Sequence, residues 1–151
     1  MTQDAGVLFV VNDHVDLALL SQADGVHLGA DDLSISAARR IAGDSLLIGA
    51  SASTPASALA AIKSGADYIG CGPAFATPLK PQKVVIGPSG VAEMADAVGP
   101  SVPVFAIGGI DASNIPQLRA AGVRRACVVR SVGEASDPEA AARELRAMLE
   151  A

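Results

Sequence analysis

The 151-residue sequence predicts an α/β fold of successive strand–helix units, and three observations carry the prediction. Short apolar runs begin at residues 7, 25, 46, 68, 102 and 126, so consecutive starts lie 18, 21, 22, 34 and 24 residues apart, roughly one βα unit each. The runs mostly lack polar–apolar alternation, the pattern of strands in a parallel sheet covered on both faces. Each is followed by a helix-length segment, and no Gly/Ser- or Pro-rich linker divides the chain, so one domain over 1–151 is expected. The residues alone leave two architectures open, an open doubly wound sheet or part of a barrel.

In chain order, strands are expected over 7–11, 25–28, 46–50, 68–72, 102–107 and 126–129. Helices are expected over 14–22, 34–42, 55–64, 89–98, 113–120 and 138–149. Ser53 or Thr54 before Pro55, and Asp137 before Pro138, supply an N-cap followed by a proline suited to the first helical turn. Gly43, Gly65 and Gly122 stand where helices should stop. Three junctions, Ala23-Asp24-Gly25-Val26, Ala66-Asp67-Tyr68-Ile69 and Ala121-Gly122-Val123, each put a small-residue turn before a strand. The long fourth step holds a loop from Gly70 to Pro81, and long loops inside compact domains are usually functional.

Composition narrows the function. Eleven basic against sixteen acidic residues leave a net charge of −5, so nucleic acid and anionic lipid are not expected partners. Three Phe, one Tyr and no Trp provide no platform for base stacking. Hydrophobic residues make up 50% and charged residues 18%, enough for a core of Ala, Val, Leu and Ile. Cys71 and Cys127 lack any metal-type spacing and read as two buried thiols in a reducing compartment. The run over 7–11 has no basic segment before it and is too short for a signal peptide or a membrane span, so a cytoplasmic protein is expected.

Polar and glycine residues collect after four strands: Asn12-Asp13, Gly29-Ala30-Asp31-Asp32, Ser51-Ala52-Ser53-Thr54 and Gly108-Gly109-Ile110-Asp111. In a parallel sheet such groups, with Thr77 and Lys80, share the rim where active sites form. Carboxylates, one lysine and peptide N–H groups suit a Mg²⁺-bound phosphate ester. Each also has a plainer reading. Asp13, Asp31 and Asp32 could cap helices, Lys80 could be a solvated surface residue, and Gly108-Gly109 could be a tight turn. His27 lies within a strand, the position of a hydrogen-bonded interior histidine. No Ser-His-Asp order, HExxH, Walker A or GxGxxG motif occurs.

The ordered set Asn12-Asp13, Gly25-Val26-His27-Leu28-Gly29, Ile48-Gly49-Ala50-Ser51, Tyr68-Ile69-Gly70-Cys71-Gly72-Pro73, Thr77 with Lys80-Pro81, and Ala106-Ile107-Gly108-Gly109-Ile110 resembles the thiamine-phosphate synthase family. The resemblance runs through Ser136-Asp137-Pro138 before the last helix. It implies a TIM (βα)8-barrel type of fold, of which this chain holds about six βα units, the last six of eight. It implies a transferase that joins hydroxymethylpyrimidine diphosphate to thiazole phosphate and releases pyrophosphate. Asp13 and Asp32 then correspond to the Mg²⁺ ligands. Asn12, Ser51 and Lys80 correspond to pyrimidine diphosphate contacts, and Thr77, Gly109, Val129 and Arg130 to the thiazole phosphate site. No protein nucleophile is implied. The related thiazole tautomerase is similar too, but its catalytic histidine would fall at Ser53.

The sequence departs from the family at several points. Leu79 replaces a threonine, Arg130 stands where serine is common, and Ala30 replaces a frequent glutamine. A Gln-Leu-Arg-x-Lys diphosphate clamp on an earlier strand has no counterpart. Six units cannot close an eight-stranded cylinder and would leave sheet edges open. The expectation is therefore a truncated form of a longer chain, an open-sided fragment completed by self-association through those edges, or a shortened relative without full activity, poorly active or inactive as a synthase. The alternative is a non-catalytic or degenerate barrel fragment that binds a phosphate ligand.

Overall fold

A computed structural model describes residues 2–78 and 81–151. Strands β1 (Val10–Asn12), β2 (Gly25–Leu28), β3 (Leu47–Ala52), β4 (Tyr68–Cys71), β5 (Val104–Ile107) and β6 (Ala126–Cys127) alternate with helices. The helices are α1 (Val15–Leu20), α2 (Ile35–Ala42), α3 (Pro55–Lys63), α4 (Gly87–Val98), α5 (Ile115–Ala120), α6 (Arg130–Gly133) and α7 (Pro138–Glu150). The expected α/β class holds, with every anticipated strand and helix found. The chain forms two compact units, Met1–Ile69 and Gly70–Ala151.

In the first unit β1, β2 and β3 run parallel side by side, with Val10 opposite Gly25, Asn12 opposite His27 and His27 opposite Gly49. One face carries Val26, Leu28 and Ile48 into a core with Val15, Ala18, Ala38, Ala42 and Leu46. The small alanines let α1 and α2 lie close to the strands. Along β3, Ile48, Ala50 and Ala52 are buried whereas Leu47 and Ser51 are exposed, the period-two signature of two different faces. Ser34 caps α2 by accepting the Ala37 N–H. Of the two cap candidates before Pro55, Thr54 is the one used, in a reciprocal capping box with Ser57.

The Ala-Asp junctions have a common structural meaning. The Asp24 N–H donates to the Phe9 carbonyl at 2.8 Å while the Phe9 N–H donates to Asp24 Oδ2 at 2.7 Å. The Asp67 N–H donates to Ile48 O and the Ile48 N–H to Asp67 Oδ2, both at 2.7 Å. Each aspartate thus brackets one residue in an earlier segment of the chain, taking both its N–H and its carbonyl. Arg39 seals the second bracket, reaching Asp67 Oδ2 at 2.6 Å and the carbonyls of Gly43, Leu46 and Gly65 at 2.8 to 3.0 Å.

In the second unit β5 and β6 are parallel, with Ala106 opposite Ala126 and Ile107 opposite Cys127. Val91, Met94, Val104, Ala106, Ile115, Leu118 and Leu145 are buried. Asp137 caps α7 as expected, accepting the Ala140 N–H.

Several boundaries differ from the sequence reading. β1 begins at Val10, not residue 7, because the Phe9 peptide is taken by Asp24; Val7 and Leu8 are 57% and 63% exposed. β6 stops after two residues, and 130–133 turn into the unanticipated α6. Helix α4 starts two residues early, at Gly87, with Pro88 in its first turn. Cys71 is buried, but Cys127 is exposed, correcting the expectation of two buried thiols. No helix among the described residues is long and apolar enough to cross a membrane.

Candidate functional site

The first unit gathers polar side chains where β1, β2 and β3 end. Asp13 follows β1 with φ of 68°, a left-handed conformation that a non-glycine residue adopts at a cost. Its N–H donates to the His27 carbonyl at 2.9 Å, and the His14 N–H reaches back to the Asn12 carbonyl at 2.8 Å. That i to i+2 bond around a positive φ is the mark of a γ-turn. Helix α1 starts at N-cap His14, which makes no side-chain cap. The capping explanation for Asp13 therefore fails, and its exposed carboxylate stands on a strained turn.

After β2, the Gly29 N–H donates to Asp32 Oδ2 at 2.6 Å. This bond ties a half-buried carboxylate across the loop; Ser34, not Asp31 or Asp32, is the cap of the next helix. Asn12 pairs in register with His27, so the Asp13 and Gly29 turns are neighbours on adjacent strands.

On the face away from the helices, His27 Nδ1 lies 3.2 Å from Tyr68 Oη and His27 Nε2 lies 3.0 Å from Ser51 Oγ. The rings of His27 and Tyr68 sit 5.5 Å apart between centroids, tilted by 35°. Gly49 makes this possible, since a Cβ there would overlap the Tyr68 ring. His27 is hydrogen-bonded as expected, but it is half-buried among polar partners and not in the apolar core. Tyr68 is the residue the sequence reading missed. The signal for it lies in the register: Asn12, His27, Gly49 and Ser51 share one face of three consecutive strands.

In the second unit the polar groups after β4 and β5 are mostly peptide groups. The Gly72–Pro73 bond is cis. The Ala74 N–H donates to the Ile107 carbonyl at 2.8 Å and the Phe75 N–H to the Gly108 carbonyl at 3.0 Å. Gly72 has no room for a Cβ against Ile107 O. Gly108 and Gly109 have φ of 100° and 62°, and a Cβ on Gly109 would overlap the Ala76 and Phe75 carbonyls. Asn114 Nδ2 donates to Gly109 O at 2.8 Å, and Ser131 Oγ on α6 donates to Ile110 O. These bonds fix Gly109 and bring α6 against the same turn. Thr77 is half-buried, Val129 is the exposed N-cap of α6, and Arg130 is exposed. Lys80, with Leu79, lies outside the described residues.

The donor chemistry of the first unit fits a hard divalent cation. Asp13 and Asp32 offer carboxylate oxygens, and only one oxygen of Asp32 is committed, to Gly29. Among the described residues no three His, Cys, Asp or Glu side chains gather as a metal cage. Two carboxylates with substrate oxygens are the ligand set that Mg²⁺ commonly uses, whereas a Zn²⁺ site would need more protein donors. Burial pushes the Cys71 thiol up to about 11, which removes it as a nucleophile near neutral pH.

The fold, six parallel strands alternating with helices, defines an α/β protein of the (βα) repeat class. Residues 1–132 match the family model described as thiamine monophosphate synthase, and the chain belongs to that family. It is 48% identical over 150 residues to a thiamine-phosphate synthase of Pelotomaculum thermopropionicum, covering 99% of this chain and 68% of the relative. It is 49% identical over 133 residues to a thiamine-phosphate synthase of Gloeobacter violaceus, covering 88% of this chain and 38% of the relative. A solved thiamine phosphate pyrophosphorylase from Pyrococcus furiosus superposes with TM-score 0.88 at 40% identity, covering 99% of this chain and 70% of that one. A 3-hexulose-6-phosphate synthase structure, 24% identical with TM-score 0.67, shares the fold. The chain thus spans between 38% and 68% of the length of these curated relatives.

Proposed function

We propose that this chain carries thiamine-phosphate synthase chemistry, with its six βα units corresponding to the last six of the family's eight. The reaction joins hydroxymethylpyrimidine diphosphate to a thiazole phosphate. The bond from the pyrimidine methylene carbon to the diphosphate oxygen breaks with its electron pair leaving on pyrophosphate. The thiazole nitrogen then supplies the pair for the new C–N bond. No protein nucleophile is required, in keeping with the suppressed Cys71 thiol.

Asp13 and Asp32 would hold Mg²⁺, which when bound stabilises charge developing on the leaving group. Asn12, Ser51 and Lys80 would bind the diphosphate ester. Thr77, Gly109, Val129 and Arg130 would hold the thiazole phosphate, Arg130 as a two-pronged donor in place of a serine. The observation that carries this reading is the strained Asp13 turn, one register step from the Asp32 loop. Backbone strain of this kind persists where function requires a side chain that conformation alone would not select.

Calorimetry with Mg²⁺ and pyrophosphate tests it. Metal-dependent binding is expected, weakened on the order of a hundredfold by Asp13→Ala, the equivalent of one or two charge-assisted contacts. Binding that survives both chelation and the substitution would overturn the metal assignment. Turnover of the two substrates to thiamine phosphate is the companion measurement; binding without turnover would show a phosphate-binding relative instead. The same reading includes a cytoplasmic setting, supported by two unpaired cysteines. It also includes self-association through β1, an edge strand beside exposed Val7 and Leu8. Sedimentation of a purely monomeric chain would remove that element.

A further inference from the structure

We propose that His27 and Tyr68 are positioning residues that set the Ser51 hydroxyl as a hydrogen-bond donor toward a ligand on the helix-free face of the first unit. The inference rests on the assignment of Ser51 as a substrate contact. The three side chains form a line, Tyr68 Oη to His27 Nδ1 at 3.2 Å and His27 Nε2 to Ser51 Oγ at 3.0 Å.

A neutral imidazole carries one N–H and one bare nitrogen, so this line has a direction. If Tyr68 donates to Nδ1, the proton sits on Nε2 and is donated to Ser51 Oγ. The serine proton is then turned outward, toward an acceptor. If instead Nδ1 carries the proton, Ser51 must donate inward to Nε2 and can only accept from a ligand. A phenol is a stronger donor than an aliphatic hydroxyl, and a serine oxygen is a better acceptor than a phenol oxygen, so the first arrangement is favoured. Gly49 matters here as well, because its missing side chain is what lets the Tyr68 ring reach His27. The ligand class that fits is an acceptor: a diphosphate oxygen or the bare nitrogen of a heteroaromatic ring.

The chain has two histidines, His14 and His27, so ¹⁵N-histidine spectra of the full chain assign by one His14→Gln comparison. At a pH where both rings are neutral, His27 is expected as the Nε2–H tautomer, and Tyr68→Phe should shift it toward Nδ1–H. A wild-type His27 in the Nδ1–H form, or an even mixture unmoved by Tyr68→Phe, overturns the proposal whether or not the chain turns over substrate. In kinetics, Tyr68→Phe is expected to raise KM for the diphosphate ester about tenfold with little change in kcat, the scale of one neutral hydrogen bond. His27→Gln, which keeps a donor, should recover part of what His27→Ala loses. If the tautomer responds as expected but Ser51→Ala leaves diphosphate binding untouched, the relay stands and the assignment of Ser51 falls.

Discussion

At the strand ends of the first unit the polar groups are side chains: the Asp13 and Asp32 carboxylates, the His27 ring and the Ser51 hydroxyl. At those of the second unit they are peptide groups, held by Gly72, Gly108 and Gly109 and braced by Asn114 and Ser131. A side-chain site can lose its chemistry while the fold survives. A peptide site cannot be altered without altering the fold, because its functional atoms are the chain itself. The proposed residue assignments divide in much the same way: the metal ligands and the diphosphate contacts other than Lys80 belong to the first unit, and the thiazole phosphate contacts to the second.

The largest stability effect should therefore come from adding one methyl group in the second unit. Gly109→Ala must place a Cβ onto the Phe75 and Ala76 carbonyls at a φ of 62°. Strain and overlap together should cost about 3 kcal/mol, read as a drop in the urea midpoint. Gly6→Ala on the first unit is the control: its φ is 63°, close to that of Gly109, but a Cβ there meets nothing within 4 Å. Only the strain remains, about 1 kcal/mol. Equal losses at the two positions would break the contrast.

Next come the brackets. Asp67→Ala removes the acceptor for the Ile48 N–H and for Arg39, leaving a partly buried guanidinium with fewer partners. The loss should be about 2 kcal/mol by thermal unfolding. Asp24→Ala, which unties only the Phe9 N–H, should cost about 1 kcal/mol. The third junction, at Gly122, carries no acid, so this form of stabilisation belongs to the first unit.

Cys71 gives a pH-dependent effect. Its thiol keeps its proton when folded until about pH 11, whereas an unfolded thiol loses it near 9.0. Between those values the unfolded chain binds fewer protons, so stability falls as pH rises. The difference should reach about 2 kcal/mol at pH 10.5, measured by denaturant titration against the pH dependence of Cys71→Ala. The exposed Cys127 should react with a thiol reagent in the native chain well before Cys71 does.

Much of the fold was legible in sequence because apolar runs of four to six residues, spaced one βα unit apart, admit few alternatives. Where the reading failed, the deciding partner lay far along the chain. Nothing in the run over 7–11 says that Asp24 will take the Phe9 peptide and delay β1. Nothing in Ala126-Cys127-Val128-Val129 says that Ser131 will bond Ile110 and draw the chain into a helix. In the candidate site, Asp13 and Asp32 were visible because acids following strands are unusual enough to notice. Their capping alternative could be rejected only by backbone geometry. The partnership of His27 with Tyr68 depends on strand register and on a side chain that Gly49 lacks, and a linear motif encodes neither directly.

The smallest expected effect is also the most discriminating, because its sign is opposite to the rest. Asp13→Gly places glycine where φ is already 68°, so it relieves the left-handed strain while deleting the carboxylate. Among the described residues that carboxylate has no hydrogen bond or ion pair to lose. Glycine's greater freedom in the unfolded chain offsets part of the gain, leaving a net stabilisation of about 0.5 kcal/mol. Asp13→Ala, which loses the carboxylate and keeps the strain, should be no more stable than the parent. Both should lose Mg²⁺-dependent diphosphate binding to the same extent. A chain that becomes more stable as it loses its ligand would mean that Asp13 is retained against the preference of its own backbone, for binding and not for folding. If Asp13→Gly instead destabilises the chain, the turn is held by the aspartate itself, and the strain argument for a metal ligand at this position fails.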